Sequence, residues 1–80
     1  MTEAKEFYEV TVVKQREILE KKIEEAKNTG DPVIKLPFEV YSIIEEEMEM
    51  AGWKSDTYED ENGWLCSFFC PNEAVCLEQK

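Results

Sequence analysis

The sequence contains no histidine and few basic residues. Its 80 residues include 9 Lys and Arg against 19 Asp and Glu, which gives a formal net charge of −10 at pH 7. Without histidine, the chain lacks the commonest general base and the commonest metal ligand. A shortage of basic side chains also argues against direct binding to nucleic acid or to anionic membranes, because both are held through Lys and Arg. We therefore expect a small acidic binding protein rather than an enzyme, with no catalytic residues, no cofactor and no metal.

The sequence also lacks long hydrophobic runs and paired cysteines. No apolar stretch approaches the roughly 20 residues of a membrane helix, and the first residues resemble no signal peptide. Cysteine occurs three times, at Cys66, Cys70 and Cys76. If Cys66 and Cys70 share a strand, their Cα atoms lie about 13 Å apart, which is too far for a disulfide. The spacing also lacks the close Cys pair of a zinc site. We expect free thiols and a cytoplasmic location.

An apolar stripe with helical spacing runs through residues 3–28, and Gly30 follows as a stop signal. The stripe consists of Tyr8, Thr11, Val12, Ile18, Leu19, Ile23 and Ala26. Val10 and Val13 lie outside it, and residues 10–13 are β-branched, which weakens helix propensity. The sequence therefore predicts a helix over residues 3–28, with an early strand over residues 7–13 as the alternative.

The following residues alternate between strand and helix signals. Two prolines bound residues 33–36, which predicts a short strand at a sheet edge. Residues 37–51 show a helical stripe that contains Val40, Ile44 and Met48 and ends before Gly52. Glu47 falls on the apolar side of this helix, so it either extends outward, pairs with a lysine or indicates a slightly different helix phase.

The last part of the sequence has the alternating pattern of strands. Residues 53–58 and 64–70 predict a hairpin, because Asn62-Gly63 is a strong signal for a type I′ turn. That turn pairs Glu61 with Trp64, Glu59 with Cys66, and residue 57 with residue 68. Trp53 and Trp64 are expected in the core, because each buries a large area. Tyr58, Leu65 and Phe69 then lie on the opposite face.

These elements predict a single α+β domain over residues 1–80. Its two helices pack on a small three-stranded sheet in the order α-β-α-β-β, with a C-terminal hairpin. Residues 71–80 are expected to form a loosely docked tail. Over residues 17–70 the pattern resembles small proteins of tailed bacteriophages, through a helix end at Ile23–Gly30, the short strand, a helix closing on Gly52-Trp53 and the hairpin. The resemblance implies a phage protein that binds and redirects a host factor, and it carries over no catalytic residue.

The acidic residues are concentrated in one part of the chain. Residues 39–61 contain nine acids and one base, Lys54. Three interpretations remain open: a solubility surface, a negative patch for a basic partner, or carboxylate metal binding by Glu45, Glu46 and Glu49. A negative patch could inhibit a nucleic-acid-binding host protein by imitating DNA phosphates. The carboxylates expected in such a patch are Glu39, Glu45, Glu46, Glu49, Asp56, Glu59, Asp60 and Glu61.

Apolar side chains are expected to add contacts to this patch. Tyr58, Leu65 and Phe69 supply them if the outer hairpin face stays uncovered, because exposed apolar surface rimmed by charge is typical of interaction sites. The expected partner is therefore a host protein with a basic surface. The alternative is an accessory protein that associates with itself, for example as a homodimer. Its acidic residues would then serve solubility alone. Val10 and Val13 favour self-association, because a thin core gains from an interface.

Overall fold

The computed structural model describes residues 3–73, which form two helices and a three-stranded antiparallel sheet. The elements are α1 (Ala4–Thr29), β1 (Ile34–Lys35), α2 (Ser42–Met50), β2 (Trp53–Glu59) and β3 (Leu65–Pro71). The predicted α+β fold and its order are therefore confirmed. Of the predicted tail, Pro71 belongs to β3, and residues 74–80 lie outside the described residues.

The first helix is continuous, so the alternative of an early strand is wrong. Within the β-branched run, the Thr11 hydroxyl donates to the carbonyl of Phe7 at 2.7 Å, one turn earlier. Val12 is buried in the core, and tertiary packing of this kind overrides a weak local preference. The helix ends at Gly30, which has a left-handed φ of 75° and donates its N–H to the carbonyl of Ala26 at 2.8 Å.

The second helix begins at Ser42, five residues later than predicted. Residues 37–41 are not helical because their backbone groups bond to other elements. The carbonyl of Phe38 accepts the N–H of Ser67 at 2.9 Å, and the N–H of Val40 donates to the Ser67 hydroxyl at 3.0 Å. The N–H of Tyr41 donates to Oε1 of Gln15 at 3.1 Å. Because these backbone groups are already hydrogen-bonded, the segment remains non-helical beside β3.

The strand order in the sheet is β1-β3-β2, so β3 is central and the predicted edge position of the first strand is confirmed. Ile34 of β1 and Ser55 of β2 both lie opposite Phe69. Side chains directly opposite one another share a face of the sheet. Phe69 therefore projects toward the helices, where it is completely buried.

The core lies between the sheet and the two helices. Its buried side chains are Val12, Leu19, Ile34, Leu36, Val40, Ile44, Met48 and Phe69, with Ile23, Ala26, Phe38, Tyr41 and Trp53 packed at its margin. One charged pair also joins the helices: Arg16 bonds both carboxylate oxygens of Glu47, at 3.0 and 2.7 Å. The position of Glu47 on the inner side of α2 is explained by this pair with an arginine.

The hairpin has a different register from the predicted one. Glu59 lies opposite Leu65 and Tyr58 opposite Cys66, which is a shift of one residue. Because side chains alternate along a strand, a shift of one residue exchanges the two faces. Two predictions are wrong for this reason: Trp64, expected in the core, is 71% exposed, and Phe69, expected on the outer face, is buried.

Candidate partner-binding surface

The hairpin loop is built around the side chain of Asp60. Its Oδ1 accepts the N–H groups of Asn62 and Trp64, both at 2.9 Å, and its carbonyl accepts the N–H of Gly63 at 3.0 Å. Gly63 has a φ of 81°, and within residues 3–73 no residue other than glycine has a positive φ. The loop is therefore a three-residue loop, because a type I′ turn needs a positive φ at Asn62 as well.

This loop brings an apolar pair and two carboxylates to one end of the sheet. We call Glu59, Glu61, Trp64 and Leu65 the hairpin tip. Trp64 is 71% exposed and Leu65 51% exposed, and Glu59 lies directly opposite Leu65 on the neighbouring strand. Glu61 is exposed in the loop between the strands. Tryptophan is enriched among residues that dominate binding energy, and carboxylates favour contact with basic surfaces, so the hairpin tip is a candidate binding surface.

The acidic residues of α2 form a second group. Glu46 and Glu49 are exposed and Glu45 is half-buried. Oε1 of Glu49 accepts the hydroxyl of Ser55 at 2.9 Å, so this carboxylate lies beside β2. Glu47 is already paired with Arg16, and this contact raises the pKa of the Arg16 guanidinium above its ordinary value. Three of the four acids of α2 thus lack a basic partner among the described ion pairs.

The remaining predicted acids do not join either group. Glu39 is exposed on the extended segment before α2, because the helix begins later than predicted. Asp56 is exposed on β2, opposite Phe68, and its Oδ1 accepts the N–H of Thr57 at 2.8 Å. The carboxylate of Asp60 accepts backbone N–H groups of the hairpin loop. The predicted acids are therefore distributed over α2, the hairpin and the connecting segment.

Tyr58 has a structural role that its position in the sequence did not indicate. Its hydroxyl donates to the carbonyl of Leu36 at 2.7 Å, and Nζ of Lys35 lies 5.4 Å from the ring centroid. Burial raises the pKa of Tyr58, and neighbouring Cys66 raises it further. Tyr58 is half-buried and joins β2 to the end of β1 across the outer face of the sheet. It is therefore not the exposed contact residue that the sequence predicts.

Of the three predicted apolar contacts, the structure leaves only Leu65 exposed. Phe69 is in the core, and Tyr58 is half-buried. Trp64, in contrast, was predicted in the core and lies at the surface. The available signal was Asp60, since an aspartate four residues before Trp64 can accept loop N–H groups and favour the longer loop.

The described residues offer few groups for chemistry. Cys66 and Cys70 are free thiols, the first buried and the second half-buried. Nowhere in residues 3–73 do three Cys, Asp or Glu side chains converge to hold a metal ion. A cleft lies between the end of α1 and β1, where Lys22, Glu25, Thr29 and Lys35 line it. This cleft is remote from the hairpin tip in the sequence and shares no residue with it.

Neither helix of the described part is long and apolar enough to cross a membrane. Comparison with protein-family models, with curated proteins and with solved structures found no match to this chain.

Proposed function

We propose that the protein binds a basic partner protein through the hairpin tip, with the acids of α2 adding electrostatic attraction. The observation that carries the proposal is the exposure of Trp64 and Leu65 next to Glu59 and Glu61. Tryptophan is enriched among residues that dominate binding energy, and surrounding carboxylates accelerate association with a basic surface. This role is one of binding, without catalysis.

The partner that fits this chemistry is a host protein with a basic surface, for example one that binds nucleic acid. Because the sequence resembles small proteins of tailed bacteriophages, we propose that the host is a bacterium and that binding takes place in its cytoplasm. Occlusion of the basic surface would inhibit or redirect the host protein. Carboxylates of α2 and the hairpin tip would occupy positions that DNA phosphates otherwise take.

The test is capture of partners from bacterial lysate by the immobilised protein at low and at high salt, with identification by mass spectrometry. We expect one protein to be enriched at low salt and lost at high salt, because salt screens exposed charges. Trp64→Ala should remove most of this capture, whereas Met50→Ala should not. Met50 is the matched control, since it is 88% exposed and lies at the end of α2.

The electrostatic part is tested by the triple change Glu45→Lys, Glu46→Lys and Glu49→Lys. The control reverses three exposed acids of α1, Glu20, Glu24 and Glu25, which alters the net charge equally. We expect the α2 variant to lose the partner and the α1 variant to retain it. If both variants retain the captured protein equally, the acidic residues of α2 do not contribute to binding. If no protein is captured at either salt concentration, the proposal of partner binding is refuted.

A further inference from the structure

The first helix has a second apolar face that lies outside the core of the described part of the chain. Val12 and Leu19 project into the core. At 100° per residue, four other apolar side chains point about 110° or more away from that direction. These are Phe7, Val10, Val13 and Ile18, which are 63%, 53%, 49% and 38% exposed. We call these four residues the outer face of α1.

The charge of the molecule leaves α1 as the place where two copies can meet. Within Ala4–Thr29 the chain has six acidic and six basic residues, so the helix is neutral. The other residues contain thirteen acids and three bases, which accounts for the whole net charge of −10. Contact between copies through α2 or the hairpin brings acid against acid, and such contact is unfavourable. Charge therefore favours a contact between copies that is made by α1.

The outer face is also self-complementary when two copies of α1 run antiparallel. Phe7 and Ile18 are placed symmetrically about the middle of the face, near residue 12, and so are Val10 and Val13 within one residue. The charges are arranged in the opposite sense on the two sides. Residues 3–10 carry Glu3, Glu6 and Glu9 against Lys5, and residues 14–22 carry Lys14, Lys21 and Lys22 against Glu17 and Glu20, with Arg16 already paired to Glu47.

An antiparallel arrangement places the first segment, with a net charge of −2, against the second, with a net charge of +1 when the paired Arg16 is left out. A parallel arrangement places each segment against the same segment of the other copy, which has a net charge of the same sign. A two-fold axis near residue 12 also makes the same patch contact itself, as an interface of two identical copies requires. We propose that the outer face of α1 binds a second copy of the chain in an antiparallel, two-fold arrangement.

The size of the face determines the strength expected of this dimer. Residues 3–22 span about 30 Å of helix, but the outer face has only four exposed apolar side chains along this length. Stable interfaces bury about 800 Å² on each partner, which is more than four side chains provide. The dimer is therefore weak and reversible. It leaves the hairpin tip uninvolved, so it does not depend on the proposed function.

Sedimentation equilibrium of the full chain over a wide concentration range tests the dimer. We expect the apparent mass to rise with concentration from that of a monomer toward that of a dimer. Val10→Glu combined with Val13→Glu should keep the protein monomeric throughout, while Met50→Glu, at a position that is 88% exposed, should dimerise as the wild type does. Both variants change exposed residues, and circular dichroism verifies that they remain folded. A monomeric wild type, or a dimer that survives the change at Val10 and Val13, overturns the proposal.

Disulfide trapping tests the antiparallel direction. Phe7→Cys and Ile18→Cys are introduced separately into chains whose three native cysteines are replaced by alanine. In the antiparallel dimer the two copies of position 7 are about 16 Å apart, too far for a disulfide, whereas positions 7 and 18 lie opposite. We expect cross-links in the mixture of the two variants and none in either alone. Cross-links within the Phe7→Cys variant alone would indicate a parallel pair and overturn the arrangement.

Partner capture and self-association have separate readouts. If Trp64→Ala loses the captured protein but still dimerises, both proposals hold. If the pair Val10→Glu and Val13→Glu abolishes the dimer and leaves capture intact, the two surfaces are independent, as the structure indicates. A wild type that stays monomeric while it captures its partner refutes the dimer and leaves the hairpin tip unaffected.

Discussion

Ser67 holds an entire segment of the chain in place. It is the only buried polar side chain among residues 3–73. Its N–H donates to the carbonyl of Phe38, its carbonyl accepts the N–H of Leu36 at 3.0 Å, and its hydroxyl accepts the N–H of Val40. One residue of β3 thus satisfies three backbone groups of the segment that joins β1 to α2.

We therefore expect Ser67→Ala to lower the free energy of unfolding by about 1–3 kcal/mol, because the buried N–H of Val40 loses its acceptor. Urea unfolding followed by the fluorescence of half-buried Trp53 measures the change. Ser55→Ala is the control, since its hydroxyl bonds to an exposed carboxylate, and it should cost less than about 0.5 kcal/mol. Equal losses in the two variants would contradict the role assigned to Ser67.

The elements differ in how far the sequence predicted them. The long helix, the edge strand and the two hairpin strands were predicted, because their apolar periodicity and their glycine and proline boundaries are local signals. The start of α2 was not predicted correctly. A helical stripe continues back to Val40, but the hydrogen bonds of residues 38–40 to Ser67 connect positions 27 or more apart in the sequence. Periodicity alone contains no information on such bonds.

In the hairpin loop, the preference of one side chain for a longer loop determines which residues are exposed at the candidate site. Asn62-Gly63 predicts a two-residue turn, but the carboxylate of Asp60 accepts two loop N–H groups and stabilises a three-residue loop. The added residue changes the register, and the register determines which side chains face the core. Predicting Trp64 at the surface would have required weighing one carboxylate against one dipeptide preference.

We expect Asp60→Ala to destabilise the protein by about 1–2 kcal/mol, because two loop N–H groups lose their acceptor, as at a helix cap. Glu61→Ala removes a neighbouring exposed acid with no described hydrogen bond and should be nearly neutral. Thermal unfolding by circular dichroism measures both. If the two variants unfold at the same temperature, the loop does not depend on the Asp60 side chain.

At the scale of the whole molecule, charge and shape are both uneven. The protein extends over 49 × 29 × 21 Å, and α1 accounts for about 39 Å of the long dimension. The helix is neutral, whereas α2, the sheet and their connections carry the negative charge. The sequence predicted where the acids concentrate. It did not predict that they divide between α2, the hairpin and residue 39, because that division depends on how α2 lies on β2.

A net charge of −10 destabilises a compact chain through self-repulsion. We expect the melting temperature to rise by a few degrees as NaCl is raised from low to physiological concentration, since the Debye length falls from roughly 30 Å at 0.01 M to about 8 Å. The Glu45→Lys, Glu46→Lys, Glu49→Lys variant has a net charge of −4, because each change adds two charges, and should show a smaller rise. A melting temperature that falls with NaCl would contradict this account.

The position of β3 has a consequence for the order in which the protein can assemble. β3 is the central strand, but it comes last among the described elements in the chain. As the chain leaves the ribosome, α1 can form early from local contacts, whereas β1 and β2 have no neighbouring strand to pair with until residues 65–71 are made. Leu36 and Ile44 remain uncovered during that interval. The nascent chain therefore passes through a stage in which chaperones and proteases can reach its future interior, and synthesis of seven residues ends that stage.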